Sequence, residues 1–484
     1  MNTQNNSLAK FPHLCTMPFH KINQQDIAYF KSILEDSYVL TDSEHIDRCA
    51  GDQTEDLYYP PEVVLQPGTT GEVSSIMKYC NEQNIPVTPR GAGTGLSGGA
   101  LPVWGGVALD MKRFNKILHI DKRNFQVTTE PGVITQVLQE ALKSEGLFYP
   151  PDPASKGSCF IGGNVSENSG GPRAVKYGVV KDYVLNLEIV LANGEIIWTG
   201  ANVLKNATGY NLTQLIVGSE GTLGVITKIV LRLIPAVKHD LLLLVPFRSA
   251  VEACAAVNAV FVAGFTPSAL EFMERDALEW SMRYVQSTGI DLPADIAAHL
   301  LIEVDGNNMD ELYRDAEAIS QIVQQYDIGE ILFADSHEQK QMLWTLRRKV
   351  GEAVKSNSIY KEEDTVVPRA ELPELLKIIK ELGVEYGFKS VCYGHAGDGN
   401  LHVNIVKGDM SDEDWKTKLP QGIRKLFKEV VRMGGTLSGE HGIGLVQKEF
   451  MDIAFNSVQL ALMKQIKQVF DPQGILNPGK IFMS

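Results

Sequence analysis

Two hydrophobic periods run along this chain, and the places where one gives way to the other mark its elements. Ile27, Phe30 and Leu34 repeat at helical spacing behind Asn23, whose side chain can cap a helix. Thr69 opens a Thr-x-x-Glu capping box closed by Glu72, and Val73, Ile76, Met77 and Cys80 extend it as an amphipathic helix. Ile85 to Thr88 and Val107 to Met111 read as strands around a glycine-dense stretch, and Ile134 to Leu142 reads as a further helix. Asn193-Gly194 lies between Ile189 to Ala192 and Glu195 to Trp198, which predicts a hairpin. Val225 to Ile234 is a strand stopped by Pro235, and a first domain boundary is expected there.

Beyond that proline the order changes. A strand (Leu241 to Val245), a helix (Val251 to Val262) and strands near Ala269 to Met273 and Leu300 to Val304 follow. A helix (Glu311 to Tyr326) and a strand (Ile331 to Ala334) complete a β-α-β-β-α-β series, which predicts an α+β sheet with helices on one face. Next come expected helices at Gln339 to Lys355 and Glu371 to Tyr386, then a hairpin from Val391 to Val406. Two more helices precede the tail Asn477-Pro478-Gly479-Lys480.

Composition narrows the class. The chain has 484 residues, 44% hydrophobic and 21% charged, which fits a globular protein of two or three domains. Lys+Arg 45 against Asp+Glu 59 gives a net charge of -14, a poor balance for meeting nucleic-acid phosphates. Apolar runs such as Leu241 to Val245 are strand-sized, far below the roughly 18 residues of a membrane span. Met1 to Lys10 is polar and lacks a secretory signature. Cysteines at 15, 49, 80, 159, 254 and 392 form no CxxC and no iron–sulfur pattern. A reduced, cytoplasmic setting is the expectation.

The glycines are clustered. Pro89 to Gly99 formally contains GxGxxG at Gly93, Gly95 and Gly98, but the strand at Val107 leaves no room for the helix that a dinucleotide fingerprint must open. What remains is a run of bare amides able to cradle an anion, or else an ordinary surface loop. A second cluster runs from Asp152 through Ile161-Gly162-Gly163-Asn164 to Gly171, and a third from Gly218 to Thr227. Three glycine loops at strand edges let backbone approach a flat, extended ligand.

Histidines converge on two short motifs, His395 to His402 and Glu440-His441. Two imidazoles plus a carboxylate form a common ligand set for a divalent metal with an open position, although histidines seven apart are often unrelated. Neighbouring Glu440 and His441 on extended backbone point apart, so one can ligate while the other titrates near its ordinary value of about 6.5.

With these motifs in hand, the sequence from about residue 55 onward resembles FAD-linked oxidases of the vanillyl-alcohol oxidase type. The resemblance lies in their 2-hydroxy-acid dehydrogenase branch, which includes the glycolate oxidase D subunit, D-lactate dehydrogenase and D-2-hydroxyglutarate dehydrogenase. It implies an α+β protein: a two-subdomain FAD-binding domain, a ferredoxin-like cap and a C-terminal helical segment. The expected division is a lead-in at 1–54, an FAD domain at 55–236 and a cap at 237–484, returning to the flavin from about 440. Arg90, Gly91, Gly93, Thr94, Gly95, Leu96, Ser97 and Gly98 match the pyrophosphate loop. Asp152, Gly162, Gly163, Asn164 and Ser166 match the segment beside the flavin, and Glu220, Gly224 and Ile226 the adenine-side strand. Asn477 and Lys480 match the C-terminal return. Thr94 stands where covalent members carry a nucleophile, so non-covalent FAD is expected.

The same resemblance implies His395, His402 and Glu440 as ligands of zinc or manganese, and His441 as the catalytic base. It implies Arg347 as the cation for the substrate carboxylate, and Asn400 as a substrate neighbour. Where the D-2-hydroxyglutarate type has a Thr and a Lys, this chain has Gly351 and Glu362, which favours a short monocarboxylate. The implied reaction oxidises a small D-2-hydroxy acid to the 2-oxo acid, and with no iron–sulfur pattern in the chain its electrons are expected to pass to oxygen, a quinone, an electron-transfer flavoprotein or an iron–sulfur subunit. Alternatives are a D-2-hydroxyglutarate dehydrogenase, a flavin-carrying electron-transfer subunit without chemistry of its own, and another enzyme on the same flavin fold.

Overall fold

The computed structural model describes residues 19–55, 57–286, 290 and 292–483; Met1 to Lys10 and Cys15 lie outside the described residues. Both expected capping devices form. Asn23 accepts from the Gln25 and Asp26 amides at the start of the helix Gln24–Ile33. Thr69 and Glu72 exchange bonds of 3.2 and 3.1 Å ahead of the helix Thr70–Gln83. That helix buries Val73, Ile76, Met77 and Cys80 against a four-stranded sheet, where a fully buried aliphatic side chain is worth about 1.5–3 kcal/mol. The sheet order is Val39–Leu40, Val63–Leu65, Val107–Asp110, Val87–Arg90, with the last three parallel.

A five-stranded antiparallel sheet follows, ordered Ile117–Asp121, Gln126–Thr129, Val225–Arg232, Val184–Val190, Ile196–Trp198. Its last two strands are the Asn193-Gly194 hairpin, in which Gly194 takes the φ of 87° that the turn requires. The glycine cluster at 161–167, expected as a loop, is instead the short helix Ile161–Glu167. It packs so tightly that a Cβ on Gly162 would come within 2.5 Å of Pro131.

The third sheet has seven antiparallel strands in the order Leu332–Ala334, His239–Phe247, Ala298–Gly306, Ala269–Glu274, Lys389–Gly394, Asn400–Val406, Tyr360–Val366. The first four give the ferredoxin-like arrangement. Helices were expected on one face, but they cover both. Ala250–Val262, Met309–Val323, Leu372–Tyr386 and Leu419–Arg432 pack on one side. Arg275–Tyr284, His337–Arg348 and Val350–Asn357 pack on the other. Leu241 to Val245 explains this, because an unbroken apolar run buries alternate side chains in both layers. The single helix expected over 339–355 is two helices, broken at Lys349.

The C-terminal segment returns to the first sheet. Leu476 bridges Val87 in parallel, and Ile475 and Leu476 join the core of the first sheet. Among the described residues, no helix is long and apolar enough to cross a membrane.

Candidate active site

Strand register gathers the polar groups. Asp364 pairs with His402 and Glu362 with Asn404 across two strands, while Tyr393 pairs with His402 on the other side. In antiparallel strands, opposed residues share a face. The tight turn from Gly394 to Asn400 adds His395, and the segment 438–442 folds over to deliver Glu440 and His441. The His395 and His402 rings lie 5.5 Å apart and nearly perpendicular; His402 and His441 stack at 5.2 Å.

Four carboxylates surround these rings. Both Glu271 oxygens lie 2.9 Å from His395 Nδ1, which turns Nε2 toward Glu440 Oε1 at 3.3 Å. His402 faces Glu440 with Nε2 at 3.5 Å and Glu362 with Nδ1 at 3.2 Å. Asp364 Oδ2 accepts from Ser438 Oγ and from three successive amides, Gly439, Glu440 and His441, at 2.7 to 2.9 Å. This one oxygen fixes the backbone from which Glu440 and His441 project.

Burial and charge pull the ionisations in opposite directions. Burial works against the Glu440 carboxylate, yet His395, then His402, bring it down to about 2. Burial likewise opposes the charged His395, but Glu271 and Glu440 lift it to about 10. His441 departs from the expected ordinary value: burial would lower it, and Asp364, Glu362 and Glu440 together raise it. Asp364 is held well below the carboxylate range, because His441, His402 and the backbone donors overcome its burial.

Arg347 is 4% exposed and forms a buried ion pair with Glu271 (2.7 Å); its guanidinium lies 5.0 Å from the Tyr393 ring centroid. Its Nε has no hydrogen-bond partner. Asn400 directs its amide to Asp364 Oδ1 (2.7 Å) and the Thr365 carbonyl (3.0 Å), leaving Oδ1 unpartnered. Asn404 lies near the Tyr393 hydroxyl, but neither of its side-chain polar atoms makes a hydrogen bond. An unpaired buried polar group costs about 1–3 kcal/mol, so such a concentration marks a place prepared for a ligand.

Beside the cluster runs a cleft lined by Arg90, Gly91, Gly93, Thr94, Gly95, Leu96, Gly162, Gly163, Asn164, Ser166, Glu220, Gly224 and Ile226. Glu440 and His441 line it too, so cleft and cluster are continuous. A Cβ on Gly95 or Gly163 would meet nothing within 4 Å and would simply fill the cradle. These bare walls fit the flavin expected from the sequence.

The other expected cofactor residues lie outside the lining of this cleft and are engaged with protein groups. Ser97 receives the Leu445 amide (2.8 Å), and the Gly98 amide donates to Thr54 Oγ1 (2.7 Å). Asn477 Nδ2 donates to the Gly99 and Glu220 carbonyls, and Lys480 Nζ to the Leu101 carbonyl. Burial brings Lys480 down to about 7. Asp152 lies 3.7 Å from Arg348 and 3.8 Å from Lys156. Even Arg90 turns its guanidinium back to the Arg48 and Gly51 carbonyls.

Sequence reading missed Glu271, Asp364 and Asn404. The signals were present: a lone Glu inside the apolar run Ala269 to Met273, and acids alternating along Tyr360–Val366. His395, His402 and Glu440 bring ligand atoms within 4.8 Å of one another, as a metal set requires, and so do Glu362, His402 and His441.

Comparison with known proteins gives the family and the fold. The family model described as FAD linked oxidases, C-terminal domain, matches residues 237–481, and an FAD binding domain matches 61–200. A D-lactate dehydrogenase of Anaerostipes hadrus is 38% identical over 467 residues, covering 96% of this chain and 98% of its own. Glycolate oxidase subunit GlcD of Bacillus subtilis (strain 168) is 40% identical over 425 residues, covering 87% and 89%. A substrate-bound p-cresol methylhydroxylase structure superimposes with a TM-score of 0.77 at 19% identity, covering 95% of this chain and 96% of its own; it shows the vanillyl-alcohol oxidase-type fold.

Proposed function

This chain belongs to the FAD-linked oxidase family and is an FAD-linked oxidoreductase, and on that premise we propose that it oxidises a short D-2-hydroxy acid, of the D-lactate or glycolate class, to the 2-oxo acid. The observation that carries this reading is the convergence of Arg347, three histidines and Glu440 at the edge of the glycine cleft. When bound, FAD, without a covalent link to Thr94, would supply the hydride acceptor, and a divalent ion, zinc or manganese, would supply a Lewis acid for the hydroxyl. His395, His402 and Glu440 would hold that ion, with Glu271 fixing the His395 ring.

Arg347 binds the substrate carboxylate; its planar fork suits a two-point contact, and Glu271 anchors its other side. His441 takes the hydroxyl proton at a ring nitrogen, and the field of Asp364 and Glu362 makes it a stronger proton acceptor. Asn404 offers a donor and an acceptor to the rest of the substrate. Glu362 stays ionised: His402 and His441 overcome the effect of its burial, so it repels a second carboxylate. That charge disfavours D-2-hydroxyglutarate. The sequence carries no iron–sulfur cysteine pattern, so electrons leave to oxygen, a quinone, an electron-transfer flavoprotein or a separate iron–sulfur subunit.

The test is anaerobic bleaching of the flavin by D-lactate, glycolate, L-lactate and D-2-hydroxyglutarate. D-lactate or glycolate should bleach it fastest. No bleaching by any 2-hydroxy acid would end the proposal, and fastest bleaching by D-2-hydroxyglutarate would end the assignment to short acids.

A further inference from the structure

Two ligand sets share one histidine. His402 is 4% exposed, and its two nitrogens look toward different carboxylates: Nε2 to Glu440 at 3.5 Å and Nδ1 to Glu362 at 3.2 Å. The Nδ1 atom makes no hydrogen bond, although it is buried. His441 stacks over the same ring at 5.2 Å, and one ligand atom from each of Glu362, His402 and His441 falls within 4.8 Å of the others. Two imidazoles and a carboxylate are a complete set of protein ligands for zinc.

The charge around these groups points the same way. Glu271, Glu362, Asp364 and Glu440 face one arginine, Arg347, and histidines that ligate a metal must be neutral. Counted with His395, His402 and His441 all neutral, as ligation of both ions requires, that leaves three negative charges in a buried space. One divalent ion cancels two of them, and the substrate carboxylate adds one back. The cluster therefore remains attractive to a further cation after the first is bound.

We propose that Glu362, His402 and His441 form a second divalent-cation position, weaker than the first, whose filling removes His441 from the reaction and makes excess zinc an inhibitor. The inference rests on the reading that His395, His402 and Glu440 hold the working ion. The second ion is the weaker because His402 must then give both nitrogens, losing its last ring proton to solvent as the Nδ1–metal bond forms. Zinc is favoured over manganese because imidazole-rich sites follow the general order of divalent affinities. A histidine bound to zinc has no lone pair left for a proton.

The test uses the FAD-loaded full chain titrated with zinc chloride, with elemental analysis after equilibrium dialysis and anaerobic flavin reduction in parallel. One zinc should remain at low free zinc, and a second should bind only in excess. As the second fills, reduction should slow about 10²–10⁴-fold, the cost of losing a proton acceptor, and recover on dilution. Glu362→Gln should bind a single zinc, and its reduction rate, lower than that of the unaltered chain because His441 loses a neighbouring charge, should not fall further in excess zinc. Saturation of the unaltered protein at one ion overturns the inference, and so does a Glu362→Gln chain that still takes two. Should Glu362→Gln lose its FAD, His441→Gln is counted instead: one zinc supports the inference and two overturn it. A chain that retains no zinc at all overturns the metal assignment under the proposed function as well; the counts need no turnover, so failure of either is read separately.

Discussion

The glycine cleft and the histidine cluster meet at Glu440 and His441, yet they are made of opposite materials. The cleft is bare backbone, shaped where side chains are missing, as at Gly95 and Gly163. Two cations beside it, Arg90 and Lys480, turn away to donate to backbone carbonyls. The cluster is the reverse: a sheet face crowded with buried charge, each group held by another, as Asp364 holds the segment that carries Glu440 and His441. A backbone-built surface is damaged by adding atoms, whereas a charge-built one is damaged by removing them.

Four substitutions sharpen that contrast. The largest effect is expected for His441→Ala, which should slow anaerobic flavin reduction by D-lactate or glycolate about 10²–10⁴-fold while FAD stays bound. Reduction at the unaltered rate in a stopped-flow measurement would remove His441 from the chemistry. Asp364→Asn comes next. It keeps the shape but weakens bonds to a charged acceptor, each worth about 1.5–3 kcal/mol, so metal content and reduction rate should fall together, about 10–10²-fold. Flavin absorbance should not change; loss of FAD with metal retained would reverse the assignment.

Gly163→Val is the converse experiment. Its new side chain meets no protein atom at Cβ, so the chain should fold and hold metal normally, while its affinity for FAD drops about tenfold, or 1.4 kcal/mol. Fluorescence titration of the apoprotein with FAD measures this, and unchanged affinity would mean that the flavin lies elsewhere.

The smallest effect concerns Glu167, a cleft residue whose pKa is raised by burial and by the neighbouring charges of Glu220 and Asp52. Below its ordinary value of 4.5 both folded and unfolded chains carry the proton, and the group costs nothing. As pH rises through that value the unfolded chain ionises first, so the folded state loses stability until Glu167 also releases its proton. Glu167→Gln should therefore leave the melting temperature unchanged near pH 4.5 and raise it by a few degrees at pH 8. An equal shift at both pH values would show that Glu167 is ionised in the folded protein.

Elements with a clean local signature were legible without coordinates: the Thr69–Glu72 capping box, the Asn193-Gly194 hairpin and the β-α-β-β-α-β series. The strand Tyr360–Val366 was not, because Tyr-Lys-Glu-Glu-Asp-Thr-Val carries carboxylates where a strand normally shows apolar residues. Those carboxylates answer histidines and amides more than thirty residues away in the chain, so no local pattern could announce them. Asn404 was not legible either: the sequence singled out Asn400 alone, and only the surroundings of each amide separate one that is held by Asp364 from one without a partner.

Residue order alone therefore determined which chemical groups this protein has and which neighbours they keep: three glycine runs, the His395 and His402 pair, Glu440 beside His441, and Arg347 on a helix. Capping, periodicity and turn chemistry act over a few residues, so they can be read in one dimension. Only the tertiary structure decided that Glu271 and Asp364 stand among those histidines, that Glu362 faces His402, and that Arg90 and Lys480 face away from the cleft. Burial and long-range charge set those outcomes, and both depend on what the fold brings within a few ångströms.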